Sequence, residues 1–245
     1  VTWLPFNRGL EKARFIERPN RFILHVQLQT GEITRAHLPD PGRLKELLTP
    51  GRSLWLEPAS DSNRKTRWTA VLCETEDEKP LVSLQTTLAN HLVGQALKER
   101  VLNEFKDWRL VRREYKVGAS RFDFLMKHET LSEQMLLEVK SVTLAENGKG
   151  RFPDAVTARG TKHVEELTAL AKNGEWRTAI LFVAQRSDST SIEPAADIDP
   201  IFAARLREAK EGGVLLFGRR TELSTAGIKL GEPCPVHPFP TESRH

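Results

Sequence analysis

Two acids and an amine fall within a short span, in Arg121-Phe122-Asp123-Phe124-Leu125-Met126 and Leu136-Leu137-Glu138-Val139-Lys140. Side chains alternate faces along a strand, so Glu138 and Lys140 share one face while Leu137 and Val139 take the other. A turn centred on Thr130-Leu131 makes the segments an antiparallel hairpin, with Asp123 opposite Glu138 and Arg121 opposite Lys140. Phe122 and Phe124 then oppose Val139 and Leu137 and supply the buried side, as cross-strand pairing requires. Two carboxylates a few ångströms apart repel unless a cation sits between them or one is protonated. A divalent ion answers that need; Mg2+ is commonly held by one or two carboxylates plus waters and substrate phosphate, at about 2.0 to 2.1 Å. A protonated Lys140 cannot ligate a metal, but its ammonium suits charge developing on a phosphate or the orientation of an attacking water. This is the outline of a metal-dependent phosphodiester-cleaving site. The same residues also suit an exposed ladder of ion pairs, worth roughly 0 to 1 kcal/mol per pair.

The elements that must position these residues change character near residue 85. Before it, short alternating runs at 13–17, 21–29, 33–38, 53–57, 68–74 and 81–84 read as strands, and Phe22, Leu24, Val26 and Leu28 form a period-2 face. One short helix is expected over 43–48, ending at Pro50-Gly51. That pattern suits a small Greek-key barrel of the OB type, and an SH3-like barrel would look similar. From Thr86 the spacing becomes helical through Leu88, Leu92, Val93, Ala96, Leu97, Val101 and Leu102. Strands follow at 110–117, 121–127 and 134–142, then a helix over 161–172 that Gly174 stops. The continuous apolar run 179–184 reads as a strand covered on both faces. A helix at 201–211 and a buried strand at 213–217 complete an α/β second unit. The expected division is 1–85, 86–232 and an irregular tail 233–245.

The chain has 245 residues, a formal charge of +4 and a pI near 9.1. It is mildly basic, so a nucleic-acid surface must come from local clusters. Arg64-Lys65-Thr66-Arg67-Trp68, Arg109 to Lys116, and Arg159-Gly160-Thr161-Lys162-His163 are such clusters, though a cluster of this kind is more often a solvated face or loop than a binding surface. Arg159 and Lys162 stand where a helix N-terminus already favours phosphate. His163 suits a phosphate contact or a proton relay, or is an ordinary surface histidine. Trp68 and Phe22 are stacking platforms or core, and Asp154 is an extra acid or a turn residue. Only Cys73 and Cys234 are present, with neither a disulfide framework nor a zinc pattern, which fits a reducing cytoplasm. No apolar run reaches the roughly 20 residues that span a bilayer, so no membrane partner is expected. Gly-x-Ser-x-Gly and Gly-x-x-x-x-Gly-Lys are absent. No heptad or apolar stripe decides the oligomeric state, and a homodimer stays open.

Asp123, then Glu138-Val139-Lys140, then a helix and further strands resemble the PD-(D/E)XK nuclease core, an αβββαβ unit with its acids and lysine on a central hairpin. Three words, Glu138-Val139-Lys140-Ser141-Val142-Thr143-Leu144, Phe152-Pro153-Asp154-Ala155-Val156-Thr157 and Arg159-Gly160-x-Lys162-His163-x-x-Glu166-Leu167, resemble the sugar fermentation stimulation protein A family. Pro39-x-Pro41-Gly42 with Pro50-Gly51, Asn63-Arg64-Lys65-Thr66 and Thr87-Leu88-Ala89-Asn90 extend the resemblance over the whole chain; Asp40-Pro41-Gly42 stands where many relatives have Asn-Thr-Gly. The resemblance implies a DNA-binding protein, an OB-like β-barrel followed by a nuclease-like α/β domain. It also matches Glu114 to an acid near the metal site. Strand parity does not put Glu114 on the face of Asp123, so it is either a ligand or a surface carboxylate. Two functions follow. One is a nuclease dependent on Mg2+ or Mn2+, in which Asp123 and Glu138 hold the metal, Lys140 supports the water and Glu114 assists. The other is a non-catalytic DNA-binding regulator of sugar (maltose-type) metabolism. In either, Arg64, Lys65, Arg67, Arg121, Arg159, Lys162 and His163 are the candidate nucleic-acid contacts.

Overall fold

The structure, a computed structural model, describes residues 2–6, 8–59, 64–75 and 80–239. Asn63 lies outside the described residues. The first unit is built from β2 (Glu11–Asn20), β3 (Ile23–Leu28), β4 (Ile33–His37), β5 (Ser53–Pro58), β6 (Trp68–Glu74) and β7 (Leu81–Ser83), after a short β1 (Trp3–Pro5). They pair in the order β4-β3-β2-β5-β6-β7, and a parallel contact between β4 and β6 closes the barrel. Leu24, Val26 and Leu28 point inward as the period-2 pattern requires, whereas Phe22 stays exposed before β3 begins. The expected helix at 43–48 is absent and that segment is a turn. Leu44 has a φ of 50°, outside the right-handed helical region, and the N–H groups of Leu47 and Leu48 both turn back to the Leu44 carbonyl. Leu44 and Leu47 are buried at helical spacing, so a single apolar turn imitates a helix in the sequence.

The second unit contains α1 (Thr86–Glu99), β8 (Trp108–Val117), β9 (Ser120–His128), β10 (Gln134–Val142), β11 (Leu144–Glu146), β12 (Lys149–Phe152), α2 (Ala158–Lys172), β13 (Arg177–Ala184), β14 (Ser191–Pro194), α3 (Pro200–Glu211), β15 (Leu215–Ser224) and β16 (Gly227–Cys234). The order α1-β8-β9-β10-α2-β13, with β10 parallel to β13, is the αβββαβ core. Helix ends follow local chemistry. Thr157 caps α2 by accepting from the Gly160 N–H, Asp199 caps α3 by accepting from the Phe202 N–H, and Arg100 closes α1 in the left-handed region.

Two cores sandwich the sheet. Phe124, Leu137, Val139, Leu181 and Val183 pack against α1, while Leu136, Ile180 and Phe182 pack under α2 and α3. The run 179–184 is buried on both faces, as its composition demands. The expected buried strand at 213–217 is only partly so: β15 starts at Leu215, which is 38% exposed. Two long-range pairings depart from the expected division. Trp3, Leu4 and Pro5 pair with Lys229, Ile228 and Gly227, so β1 belongs to the second sheet. The tail from Pro233 is ordered in part, with Pro233 and Cys234 paired to Arg219 and Gly218 and Val236 bridging to Ile192. A small sheet of β11, β12 and β14 stands beside the main one. Among the described residues no helix is long and apolar enough to cross a membrane.

Candidate active site

The hairpin register is the expected one as far as the Leu137–Phe124 pair, where the β9–β10 ladder ends. Beyond it the alternation breaks. Phe124 packs on the α1 side, but Phe122 joins the α2-side core, its ring centre 5.9 Å from that of His163 and tilted to it. On the neighbouring strand the same flip separates Arg113, which lies over Phe124, from Tyr115, which packs beside Trp176 on the other face. Between them stands Glu114, with a φ of 53° that a side-chain-bearing residue seldom adopts. The expectation that Phe122 and Phe124 line one buried face is therefore corrected. The local twist at Glu114 and Asp123 sends them to opposite cores.

Where the ladder stops, the Asp123 carboxylate takes over its role. Oδ2 accepts from the Val139 N–H at 2.7 Å, and Oδ1 accepts from Asn90 Nδ2 on α1 at 2.9 Å. Glu138 Oε1 accepts from Lys140 Nζ at 2.7 Å and lies 2.7 Å from His163 Nδ1 on α2. His163 is thus buried against Glu138, not an ordinary surface histidine. Burial and the Glu138 charge push the Asp123 carboxyl up to about 6. Burial also pushes Glu138 upward, but Lys140 and His163 outweigh it, and its carboxyl sits below the usual value. One acid is held charged and the other is on the edge of protonation.

The remaining predicted residues do not all converge. Arg121 pairs with Lys116 on β8 instead of standing opposite Lys140, because β9 and β10 have already parted; its guanidinium lies 3.9 Å from Glu114. Glu114 and Arg121 are both largely exposed. Lys162 is exposed and 3.8 Å from Glu166. In the barrel, Arg64 donates to Thr69 at 3.3 Å, Arg67 pairs with Glu32 at 3.1 Å, Lys65 is exposed, and Trp68 packs partly into the core. Arg159 does reach the site, as part of a cleft of about 450 Å³ where the two units meet.

Asn90, Val139, Lys140, Ser141, Asp154 and Arg159 line that cleft from the second unit, and the Asp40-Pro41-Gly42 loop with Arg21 lines it from the barrel. Asp123 and Glu138 lie behind this wall, joined to it through Asn90, Val139 and Lys140. The loop is strapped by Arg18, whose Nη1 donates to the Gly42 and Arg43 carbonyls at 2.7 and 2.8 Å. Gly42 has no room for a side chain, since a Cβ would collide with Asp154 Oδ2 and stand 2.9 Å from Asp40 Oδ1. Burial pushes the Asp40 carboxyl up to about 6; the Gly42 N–H opposes this and Asp154 adds to it. Sequence reasoning missed Asn90 and Asp40 as site residues, although both stand in words it had singled out.

The donor set suits a hard cation. Glu138 Oε2, Asn90 Oδ1, Ser141 Oγ and Asp154 Oδ2 are buried oxygens with no hydrogen-bond partner among the described residues. Among those residues no three of His, Cys, Asp and Glu converge as a closed cage. Two carboxylates with the rest of the shell left to water and substrate is the arrangement Mg2+ and Mn2+ accept.

Fold and site define a class: an OB-like barrel joined to a nuclease-like αβββαβ domain that carries its acids and lysine on the central hairpin. The family described as sugar fermentation stimulation protein RE domain matches residues 87–227, and the SfsA N-terminal OB domain matches residues 16–84. A sugar fermentation stimulation protein homolog of Shouchella clausii is 50% identical, over 93% of this chain and 97% of its own. One of Moorella thermoacetica is 42% identical, over 95% and 98%. The solved structure of Pyrococcus furiosus SfsA in complex with Ca2+ superposes with a TM-score of 0.86 at 27% identity, covering 97% of this chain and 99% of that one. The chain belongs to the sugar fermentation stimulation protein family.

Proposed function

We propose that this protein binds DNA in the cytoplasm and hydrolyses phosphodiester bonds with a Mg2+ or Mn2+ ion held by Asp123 and Glu138. The observation that carries the reading is the buried pair itself: Glu138 Oε2 has no donor among the described residues, and the adjacent Asp123 is raised to about 6 by burial and by Glu138. A pair so placed is under electrostatic strain that a divalent cation relieves. The Pyrococcus relative was solved with Ca2+, also a hard cation that takes oxygen ligands. When bound, the ion supplies Lewis acidity at the phosphate and a more acidic water.

The chain's own residues do the rest. Asn90 and the Val139 N–H fix both oxygens of Asp123, and His163 fixes Glu138 from the other side. Lys140, on the cleft wall, donates to a phosphate oxygen or holds the water as charge develops. Arg21 and Arg159 take flanking phosphates at the cleft. The barrel face with Arg64, Lys65 and Arg67 extends the basic surface, and Glu114 assists only through its exposed position beside Arg121.

A second reading has its own support. Lys140 already pairs with Glu138, His163 hydrogen-bonds it, and both acids lie behind the cleft wall, as suits a scaffold that binds DNA to regulate sugar metabolism and does not cut it. Labelled single-stranded, duplex and branched DNA incubated with Mg2+ or Mn2+ separates the two. Metal-dependent product that vanishes in Glu138→Gln and Lys140→Ala while binding survives establishes the nuclease. Binding without product on every substrate leaves the regulator.

A further inference from the structure

The seven-stranded sheet ends in β8, and a groove runs between this edge strand and the C-terminal half of α1. Lys98, Arg100, Arg109, Arg112 and Arg113 line it, with no acidic side chain among the lining residues. Glu129, at one end, pairs with Arg100 at 2.7 Å and feels Arg109. Lys98, Arg109 and Arg112 are exposed.

Arg113 ties this groove to the acid site. Its guanidinium lies 5.3 Å over the Phe124 ring, and Nη2 donates to the Asn90 carbonyl at 3.4 Å. Gly94 on α1 makes the room, since a Cβ there would stand 2.6 Å from Arg113 Nη1. A glycine inside a helix costs about 1 kcal/mol relative to alanine, so α1 gives up stability where this cation is seated. Asn90 in turn holds Asp123, so the cationic groove starts beside the acids and leads away from them.

We propose that the α1–β8 groove is a phosphate track that grips the nucleic-acid strand as it runs out of the acid site. The proposal rests on the DNA reading above. Dimensions agree with it. From Asn90 to Lys98 the helix rises about 12 Å, and from Arg113 to Arg109 the strand covers about 13 Å. Phosphates recur regularly along a duplex strand, so a groove of this length meets a short run of consecutive ones. Charges on an edge strand also discourage strand pairing, but that purpose needs neither a matching cationic helix end nor a glycine seat. Guanidinium forks bind phosphate and carboxylate alike, and the link from Arg113 through Asn90 to Asp123 favours a nucleic-acid strand over an acidic protein as the occupant.

The test is fluorescence anisotropy of labelled duplex DNA across a salt series, with the full chain and its R109Q/R112Q variant, and with polyglutamate as a second probe. Both positions are exposed, so the melting temperature stays unchanged. Loss of two phosphate contacts flattens the slope of log K against log salt by about 1.8 and weakens binding at low salt. An unchanged slope overturns the groove and leaves the DNA reading standing. Failure of the native protein to bind DNA at all removes both. Polyglutamate bound as tightly as DNA by the native protein, and released in R109Q/R112Q, overturns the proposal in favour of an acidic protein partner.

Discussion

Replacing Asp40 by asparagine removes a charge that the fold pushes toward neutrality. Asp40 is 3% exposed, and burial with the nearby Asp154 raises its carboxyl from 3.8 to about 6. A folded-state value above the unfolded one means the native protein holds an extra proton between the two values. The contribution of Asp40 to stability is therefore greatest near and below pH 4 and is lost as pH rises through 6. Ionising a carboxyl raised that far costs the folded state about 3 kcal/mol at neutral pH. Asparagine keeps a carbonyl oxygen for the Gly42 N–H, which Oδ1 of Asp40 accepts at 2.7 Å. Asp40→Asn is expected to raise unfolding stability by up to about 3 kcal/mol near pH 7.5 and to change it little near pH 4. Urea titrations of both proteins at the two pH values read this directly. An equal effect at both, or destabilisation near pH 7.5, refutes the account of the loop as an acid pair pressed across the cleft.

Other expectations follow from equally local causes. Arg219 donates to both oxygens of Glu104 at 2.7 Å and both are nearly buried, so Glu104→Ala leaves an unmatched cation and costs about 3 to 5 kcal/mol, read as a lower urea midpoint. Asn90→Ala removes the donor to Asp123 Oδ1 and is expected to weaken Mn2+ binding about 10-fold or more in calorimetric titration, with the barrel untouched. Because Asp123 titrates near 6, cation affinity should be full above about pH 7 and fall as pH drops through 6; calorimetry at stepped pH checks it. A flat affinity from pH 5 to 8 contradicts the assignment of Asp123 as a ligand.

Much of the fold could be read from local pattern. The barrel strands announced themselves by period-2 faces, α1 by its apolar spacing, and the hairpin register by where the apolar partners match around Thr130-Leu131. What escaped the sequence is non-local or conformational. The pairing of Trp3–Pro5 with Gly227–Lys229 joins the two ends of the described chain, and no spacing rule points to it. The small strands of β11, β12 and β14 are too short to carry a period. Of the candidate site, the shared face of Glu138 and Lys140 was legible from strand parity, and the nearness of Asp123 from the hairpin register. The parting of the strands at Asp123 was not, nor was the left-handed Glu114 across from it, a conformation that residue rarely takes. Likewise nothing in one sequence says that His163 turns inward to Glu138. Its neighbours Arg159 and Lys162 are exposed, and only the helix phase relative to β10 buries it.

The most direct test of the central claim is an anomalous difference map from crystals of the protein soaked in Mn2+. The account predicts a peak in contact with carboxylate oxygens of both Asp123 and Glu138, lost in Glu138→Gln. Saturating Mn2+ with no peak there, or with a peak only between Asp40 and Asp154, would contradict it.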